Sequence, residues 1–447
     1  MADNKLGVMP IKKLILTMSW PMMLSMFIQA LYNMVDSTYI ALADPKGFLA
    51  LSLVYPAQMF MVAICVGTGV GINAMLSRRL GERRHQAACA MAENGFFVYF
   101  VTYLVFLVLG ALVGPHFVGW FSKDPLVAAY GGQYLTLVMC GSVGMCMQFA
   151  SERVLQASGR PMEPMFIQGV GAVINLVLDP IFIFKLELGV RGAAIATVIG
   201  QLIGMALGFY LVRRSPVLIL DFRHFRPDKT AIRDIYLVGL PAIAMNSLAT
   251  IMTLGLNKIM VLPSVTKAMG DTAVFIMGVY FKLQSFLYMP VQGLNTGMTP
   301  VLGFNYGARN RKRIEDGLRF GLTLSLGIMA VGTLVFWLLP RPLLALFSTP
   351  AEMVPTGVFA LRVISASFLF GGATFILSCV LQALDCPNQA LILGLTRQLV
   401  IVLPVALLFA YTIPQLVWLS ISIAEVASCF LALIFYRKLR KEKIETL

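Results

Sequence analysis

Two short stretches of this 447-residue chain carry side chains whose type and spacing could do chemistry within an otherwise apolar sequence. In Leu31-Tyr32-Asn33-Met34-Val35-Asp36 a carboxylate lies mid-span in the first long apolar run, and Tyr32 sits one helical turn before it on the same face. In Asn175-Leu176-Val177-Leu178-Asp179-Pro180 an amide and a second carboxylate are again four residues apart, so they project together. Pro180 lacks an N–H and frees the carbonyl of Leu176 one turn back. Such free backbone is tolerated in lipid only where it is buried in protein or lines a watery cavity. Two carboxylates in one apolar bundle are suited to binding and releasing a proton, and Asp, Asn, hydroxyl and carbonyl oxygens are equally suited to a hard cation such as sodium. The competing reading of Asp36 is a span-end residue near the headgroups, against which its depth argues. For Asp179 it is an Asx-type turn ahead of the proline.

Other ionisable residues fall inside apolar runs: Glu425 in the last, and Lys258, Lys282, Arg362 and Arg397 in the second half. Long basic side chains in such positions either snorkel to the interface or pair across helices. Glu152–Arg153, near the end of a run, reads as a local pair or a gate contact. Enzyme chemistry has no foothold: there is no paired-acid metal motif, no Gly-x-Ser-x-Gly and no His-Glu-x-x-His. Seven cysteines without ligand spacing and three scattered histidines (His85, His116, His224) form no zinc or haem pattern.

The elements that must position these residues are membrane helices. The chain is 58% hydrophobic and 13% charged, with mean hydropathy +0.82, against about 25% charged in soluble domains. Stretches of about 20 apolar residues, enough to span a bilayer, recur near 14–42, 49–76, 92–118, 131–157, 161–186 and 190–213, then near 234–262, 272–302, 317–346, 357–384, 388–412 and 414–436. The net charge of +14 is concentrated in alternate connections, for example Arg78, Arg79, Arg83 and Arg84, or Arg309, Arg311, Lys312 and Arg313. By the positive-inside rule both termini and the even-numbered loops are cytoplasmic. That pattern accounts for the basic charge without a nucleic-acid partner. The first apolar run is full length and has no small-residue cleavage site, so it reads as a span rather than a signal peptide. The many Met and Phe residues read as lipid-facing or core filler, some of them lining a central cavity.

The two sets of spans are a repeat. Gly67, Gly71, Leu76, Gly81 and Arg83 match Gly293, Gly297, Leu302, Gly307 and Arg309, each pair 226 apart. Phe121–Ser122 with Phe347–Ser348, Gly131 with Gly357, Leu155-Gln156-Ala157 with Leu381-Gln382-Ala383, and Pro161 with Pro387 keep that spacing. Six spans per half put both halves in the membrane in the same sense, a parallel repeat about an axis along the membrane normal. The fold class is therefore an all-α membrane protein of twelve transmembrane helices in two six-helix bundles. The expected organisation is a first lobe over 1–213, a cytoplasmic linker over 214–233, a second lobe over 234–436 and a basic tail over 437–447. The glycine pairs read as points of close helix packing. Carried through the last spans, the constant 226 puts Ile401, Val405 and Ile423 opposite Asn175, Asp179 and Thr197; Pro21 pairs better with Pro241, which puts Leu256 opposite Asp36. The polar cluster thus belongs to the first half alone.

At these residues the sequence resembles the multidrug and toxic compound extrusion (MATE) family, most closely its prokaryotic MepA-like branch. The carrying stretches are Leu31 to Asp36, Asn175 to Phe182, Gly189 to Thr197, Gln284-Ser285-Phe286 with Met289-Pro290, and Gly303 to Ala308. The resemblance covers essentially the whole chain. It implies an antiporter in the cell inner (cytoplasmic) membrane that exports cationic lipophilic drugs or toxic cations against protons or sodium. No cofactor beyond that ion is expected, and the chain is expected to act as a monomer. Family members with a cation site in the first lobe use positions matching Asp36, Asn175, Asp179 and Thr197, a possible sodium set, with Tyr32 beside them. Members with a sodium site in the second lobe use carboxylates where this chain has Asn257, Lys258 and Lys282, so that kind of site is not expected here. Glu425, Lys282 and Asn257 are the lesser candidates. The rival reading is a flippase for a lipid-linked or polyanionic substrate, which would favour a cationic cavity; Lys258, Lys282 and Arg397 are the residues in its favour.

Overall fold

The computed structural model describes residues 5–223, 225–260, 262, 267–347 and 349–447. His224, Ser348 and residue 261, at the end of the expected seventh span, lie outside these. Among the described residues the chain is helical with no strand. With short turns left unlabelled, the first half contains α1 (Ile11–Ala43), α2 (Pro45–Gly81), α3 (His85–Leu112), α4 (Pro125–Cys140), α5 (Val143–Ala157), α6 (Met162–Pro180) and α7 (Gly189–Arg213). The second contains α8 (Lys229–Met260), α9 (Lys267–Gly307), α10 (Arg311–Leu338), α11 (Val354–Ser365), α12 (Phe368–Ala383), α13 (Pro387–Leu395), α14 (Val402–Thr412) and α15 (Leu419–Leu439). Ten helical segments are long and apolar enough to cross a membrane. The pairs α4–α5 and α11–α12, bent by 46° and 42°, bring the number to twelve. Helices satisfy their own backbone polar groups, which is why an apolar chain of this kind can cross lipid at all. The connection after α7 is shorter than the sequence suggests, because α8 already begins at Lys229.

The repeat is visible in backbone detail. Arg83 and Arg309 both take positive φ (59° and 55°), as do Gly159 and Asp385 (82° and 65°), each pair 226 apart. In all four places the helix ends on a left-handed residue whose successor donates back five residues, for example Arg84 N to Arg79 O at 3.1 Å and Asn310 N to Asn305 O at 2.9 Å. The bends in α4–α5 and α11–α12 fall at nearly matching places.

Three of the repeated glycine pairs, Gly67/Gly293, Gly71/Gly297 and Gly81/Gly307, are crossing points between the halves. A Cβ on Gly67 would lie 2.7 Å from the Ile243 Cα, and one on Gly293 the same distance from the Met23 Cα. A Cβ on Gly71 would run into the Ile235 carbonyl oxygen of α8, and one on Gly297 would lie 2.7 Å from the Ser19 Cα of α1. So α2 crosses α8 as α9 crosses α1, and the pairing Met23–Ile243 supports the 220 spacing that puts Leu256 opposite Asp36. Nearest the axis, Gly81 faces the Phe304 carbonyl and Gly307 faces the Arg78 carbonyl, a self-complementary contact between α2 and α9. On the same basic side Arg79 meets Asp234 and Arg78 meets Asp385, both at 3.2 Å. This side of the molecule is closed.

The constant 226 fails in the last spans, for an identifiable reason. Burial matches at that spacing until Leu395, then Thr396–Val400 forms a π-turn that inserts one residue. Beyond it the buried face of α14 (Val402, Ala406, Ala410) matches that of α6 and its continuation (Asn175, Asp179, Ile183) at 227. In α15 the buried Ser420, Ile421, Ala424, Ser428 and Ala432 match Ala196, Thr197, Gly200, Gly204 and Gly208 at 224. The residues opposite Asn175, Asp179 and Thr197 are thus Val402, Ala406 and Ile421, not Ile401, Val405 and Ile423. They remain apolar.

Candidate functional site

Three helices bring the expected residues together. α6 and α7 approach closely because Gly171 and Gly200 face each other, a Cβ on Gly200 lying 2.9 Å from the Gly171 carbonyl oxygen. That crossing sets Asn175 against Thr197. With its amide turned to satisfy both ends, Asn175 donates to Asp179 Oδ2 at 3.1 Å and accepts from the Thr197 backbone N–H at 3.2 Å. Asp179 is fully buried and tied back to Asn175 rather than forming an Asx turn with its own backbone. After Pro180 the chain continues as a π-turn, Ile181–Lys185, in which backbone groups re-pair: Ile181 N–H donates to Leu178 O, and Leu186 N to Ile181 O at 2.9 Å. Phe184 of this turn packs edge-on against Tyr39 of α1 at 6.1 Å, which docks it beside Asp36.

Asp36 is 7% exposed, and its Oδ1 has no hydrogen-bond partner among the described residues. The sequence suggested mid-span; α1 continues to Ala43, so Asp36 sits seven residues, about 10 Å, from the helix end on the side away from the basic loops. Its burial comes from neighbouring helices rather than from depth alone. Tyr32 is within electrostatic reach of Asp36 and Asp179, Asp36 of Asp179, and Tyr134 of Asp36 and Tyr32. Tyr134, from α4, accepts from Gln58 Nε2 at 3.2 Å.

Below this cluster a cavity of about 90 Å³ lies within the first bundle, lined by Gln29, Tyr32, Glu152, Gln168, Asn175, Thr197 and Gln201 among others. Glu152 is 7% exposed and accepts from Gln148 Nε2 at 2.9 Å. It forms no ion pair with Arg153 among the described residues, so the local-pair reading is replaced. Arg153 instead donates to Gln156 Oε1, and Gln156 Nε2 reaches the Thr296 carbonyl of α9 at 3.0 Å, a contact across the two halves. Tyr134, Gln58, Gln148 and Glu152 were not read from the sequence as parts of this cluster. Only the four-residue spacing of Gln148 and Glu152 carried a signal.

The lesser candidates do not join the cluster. Glu425 is paired with Arg397 in the second bundle, Arg397 Nη2 standing 2.6 Å from Glu425 Oε1, so that arginine pairs across helices rather than snorkelling. Lys282 is exposed, its ammonium 5.8 Å from the Phe347 ring centroid. Asn257 is half-buried on α8 and Lys258 is exposed. Arg362 Nε donates to the Trp337 carbonyl at 3.3 Å. Among the described residues no group of three or more His, Cys, Asp or Glu could hold a metal ion. Two carboxylates with an amide and a hydroxyl in an apolar bundle suit a proton or a monovalent hard cation instead.

A family model described as MatE matches residues 21–181 and 241–408, one block in each half. Multidrug export protein MepA of Staphylococcus haemolyticus (strain JCSC1435) is 26% identical over 432 residues, covering 96% of this chain and 94% of that protein. MepA of Staphylococcus aureus (strain N315) is 25% identical over 436 residues with the same coverage. A solved structure described as the outward-facing conformation of a multidrug resistance MATE family transporter of the MOP superfamily matches with TM-score 0.92 and 24% identity, covering 100% of this chain and 99% of that one. A MOP superfamily transporter from Pyrococcus furiosus Vc1 (DSM3638) matches with TM-score 0.90 and 23% identity, over 98% of each chain. At these identities the structural likeness establishes the fold. The family match spans both bundles, and this chain belongs to the MatE family of membrane transporters.

Proposed function

We propose that this chain is a secondary-active multidrug efflux antiporter that exports cationic lipophilic compounds in exchange for protons or sodium. The observation that carries the reading is the convergence of Asp36 on α1, Asn175 and Asp179 on α6 and Thr197 on α7, above a cavity in an otherwise apolar bundle. The names of the MepA relatives, multidrug export proteins, support multidrug export, and the family resemblance read from the sequence implies the cationic lipophilic class.

Asp179, oriented by Asn175, and Asp36, with an oxygen that has no partner among the described residues, take up the coupling cation; Asn175, Thr197 and Tyr32 line the adjoining cavity. A carboxylate that is charged in a low-dielectric bundle attracts a cation of any kind, so drug cation and coupling ion compete for the same negative charge. That competition is what exchange requires. The two bundles rock about the α1–α9 and α2–α8 crossings to give alternating access, with the basic side closed in the state described above. Both termini face the cytoplasm of the cell in which the protein resides, the chain acts as a monomer, and the lobes run over 1–213 and 234–436 with the linker over 214–233 and the tail beyond Tyr436. The flippase reading loses ground because the buried Arg397 is already neutralised by Glu425.

The test is ethidium efflux from proteoliposomes with a proton gradient or a sodium gradient imposed separately. The gradient that drives efflux identifies the ion. Asp36→Asn and Asp179→Asn are each expected to abolish driven efflux while the protein stays folded. Normal driven efflux from both variants would sink the coupling assignment.

A further inference from the structure

The second bundle holds a buried polar centre that the proposed coupling mechanism does not use. Arg397 projects from the π-turn Thr396–Val400. Its Nε and Nη2 both donate to Glu425 Oε1, at 2.9 and 2.6 Å, and its guanidinium stacks 4.5 Å from the Phe375 ring centroid and 5.9 Å from that of Tyr288. Glu425 is 4% exposed, and its Oε2 has no partner among the described residues. Gly371 leaves room at that oxygen: a Cβ there would stand 3.1 Å from Glu425 Oε2 and would run into the Tyr288 hydroxyl.

The repeat says what this place is. At the spacings established by burial, 226 for the earlier spans and 224 for α15, Tyr288, Gly371, Phe375 and Glu425 correspond to Val62, Met145, Phe149 and Gln201, and Arg397, early in the π-turn, corresponds to Gly171 with the inserted residue placed after it. Those five residues all line the cavity of the first bundle. The two bundles therefore have the same hollow in the same place. In the first, glycine at position 171 leaves it as free space of about 90 Å³. In the second, an arginine at the equivalent position fills it with a cation, and a glutamate at the equivalent of Gln201 supplies the opposing charge. An arginine guanidinium does not lose its proton in proteins, so this cation cannot leave while the side chain is attached.

We propose that Arg397 is a tethered cation permanently occupying a small-cation site of the second bundle, the counterpart of the hollow that the first bundle keeps open, and that removing its side chain opens this site to free guanidinium-type or alkali cations. The site's ligands are the Glu425 carboxylate and the rings of Phe375 and Tyr288. Its consequence for transport, which rests on the coupling reading above, is that ion exchange is confined to the first bundle because the second is already occupied.

The test is Arg397→Ala in the full-length purified protein, with methylguanidinium and sodium as probes and choline holding ionic strength constant. The expected result is a melting temperature several degrees below that of the parent, restored saturably by methylguanidinium and to a lesser degree by sodium, but not by choline. Arg397→Ala/Glu425→Gln is expected to show no such response, because no charge remains to attract the probe. A purely structural arginine would not give that pattern. The idea is overturned if Arg397→Ala melts as the parent does, if methylguanidinium fails to stabilise it, or if the probe stabilises the double variant equally. Should Arg397→Ala not fold unaided, extraction in methylguanidinium is expected to recover it, and failure to recover overturns the proposal as well. Melting requires no transport, so loss of the Asp36 and Asp179 coupling assignment would leave this result readable on its own.

Discussion

An alanine at Gly81 would place its Cβ against the Phe304 carbonyl, 2.8 Å from the carbonyl carbon and 3.1 Å from the Ala308 nitrogen. An alanine at Gly307 would do the same to Arg78, 3.0 Å from the carbonyl carbon and 3.1 Å from the Glu82 nitrogen. Every atom met is backbone, so no side-chain rotation relieves the overlap, and α2 and α9 must separate. Ordinary carbon contacts are about 3.5–4.0 Å, which sets the required movement at roughly 1 Å. Overpacking of this kind costs about 1–3 kcal/mol. Under a rocking mechanism the contact exists only while the basic side is closed, so the whole cost falls on that state. The equilibrium should then shift towards opening by about 5- to 150-fold. The two substitutions share one contact and will not add. Spin labels at Arg83→Cys and Arg309→Cys, exposed positions just beyond the two helix ends, read the separation in a background cleared of the seven native cysteines. Pulsed electron resonance in lipid should show a longer distance gaining population in Gly81→Ala and in Gly307→Ala. Gly327→Ala, whose Cβ would meet nothing within 4 Å, is the control. Identical distance distributions in all three variants would refute a role for this crossing in closure.

The Arg79–Asp234 pair is about a quarter exposed on both sides, so it is worth no more than about 1 kcal/mol; Arg79→Ala should move the same spin-label populations by less than about fivefold, and the charge-swapped double variant should restore them. Valine at Gly200 would press α6 away from α7 at the Gly171 carbonyl and pull Asn175 from Thr197. Driven ethidium efflux should fall at least tenfold with an unchanged size-exclusion profile, and unimpaired efflux would count against the α6–α7 crossing as the element that positions the site. Gly327→Ala removes backbone freedom in α10 without a clash and should raise thermal stability by about 0.5–1 kcal/mol; a lower melting temperature would show that the site is not open as described.

Much of the site was legible because the signals were local. Tyr32 with Asp36 and Asn175 with Asp179 stand one turn apart, and a one-turn spacing fixes a shared helix face whatever surrounds it. The partners that arrive from other helices were not legible. Tyr134 and Gln58 reach the cluster from α4 and α2, and Glu152 turned out to face the cavity rather than its neighbour Arg153. Rotation of a helix about its own axis decides such contacts, and a uniformly apolar sequence leaves that rotation unmarked. The register of the last spans was missed for a related reason. A single residue inserted in the π-turn at Thr396–Val400 rotates everything after it by about a hundred degrees, yet it leaves hydropathy unchanged.

The sequence by itself determined that the chain crosses the membrane twelve times in two parallel halves, because span length and loop charge are set by residues close together along the chain, and the 226 spacing is read by comparing the two halves residue by residue. It also determined that the cluster of Asp36, Asn175, Asp179 and Thr197 belongs to the first half. Only the tertiary structure decided that the glycine pairs are reciprocal crossings between the halves, and that Arg397 and Glu425 close on each other in the hollow that the first bundle leaves open. Those outcomes depend on which face each helix presents to its neighbours, and in lipid that choice is made by backbone approach and buried charge pairing rather than by hydrophobicity.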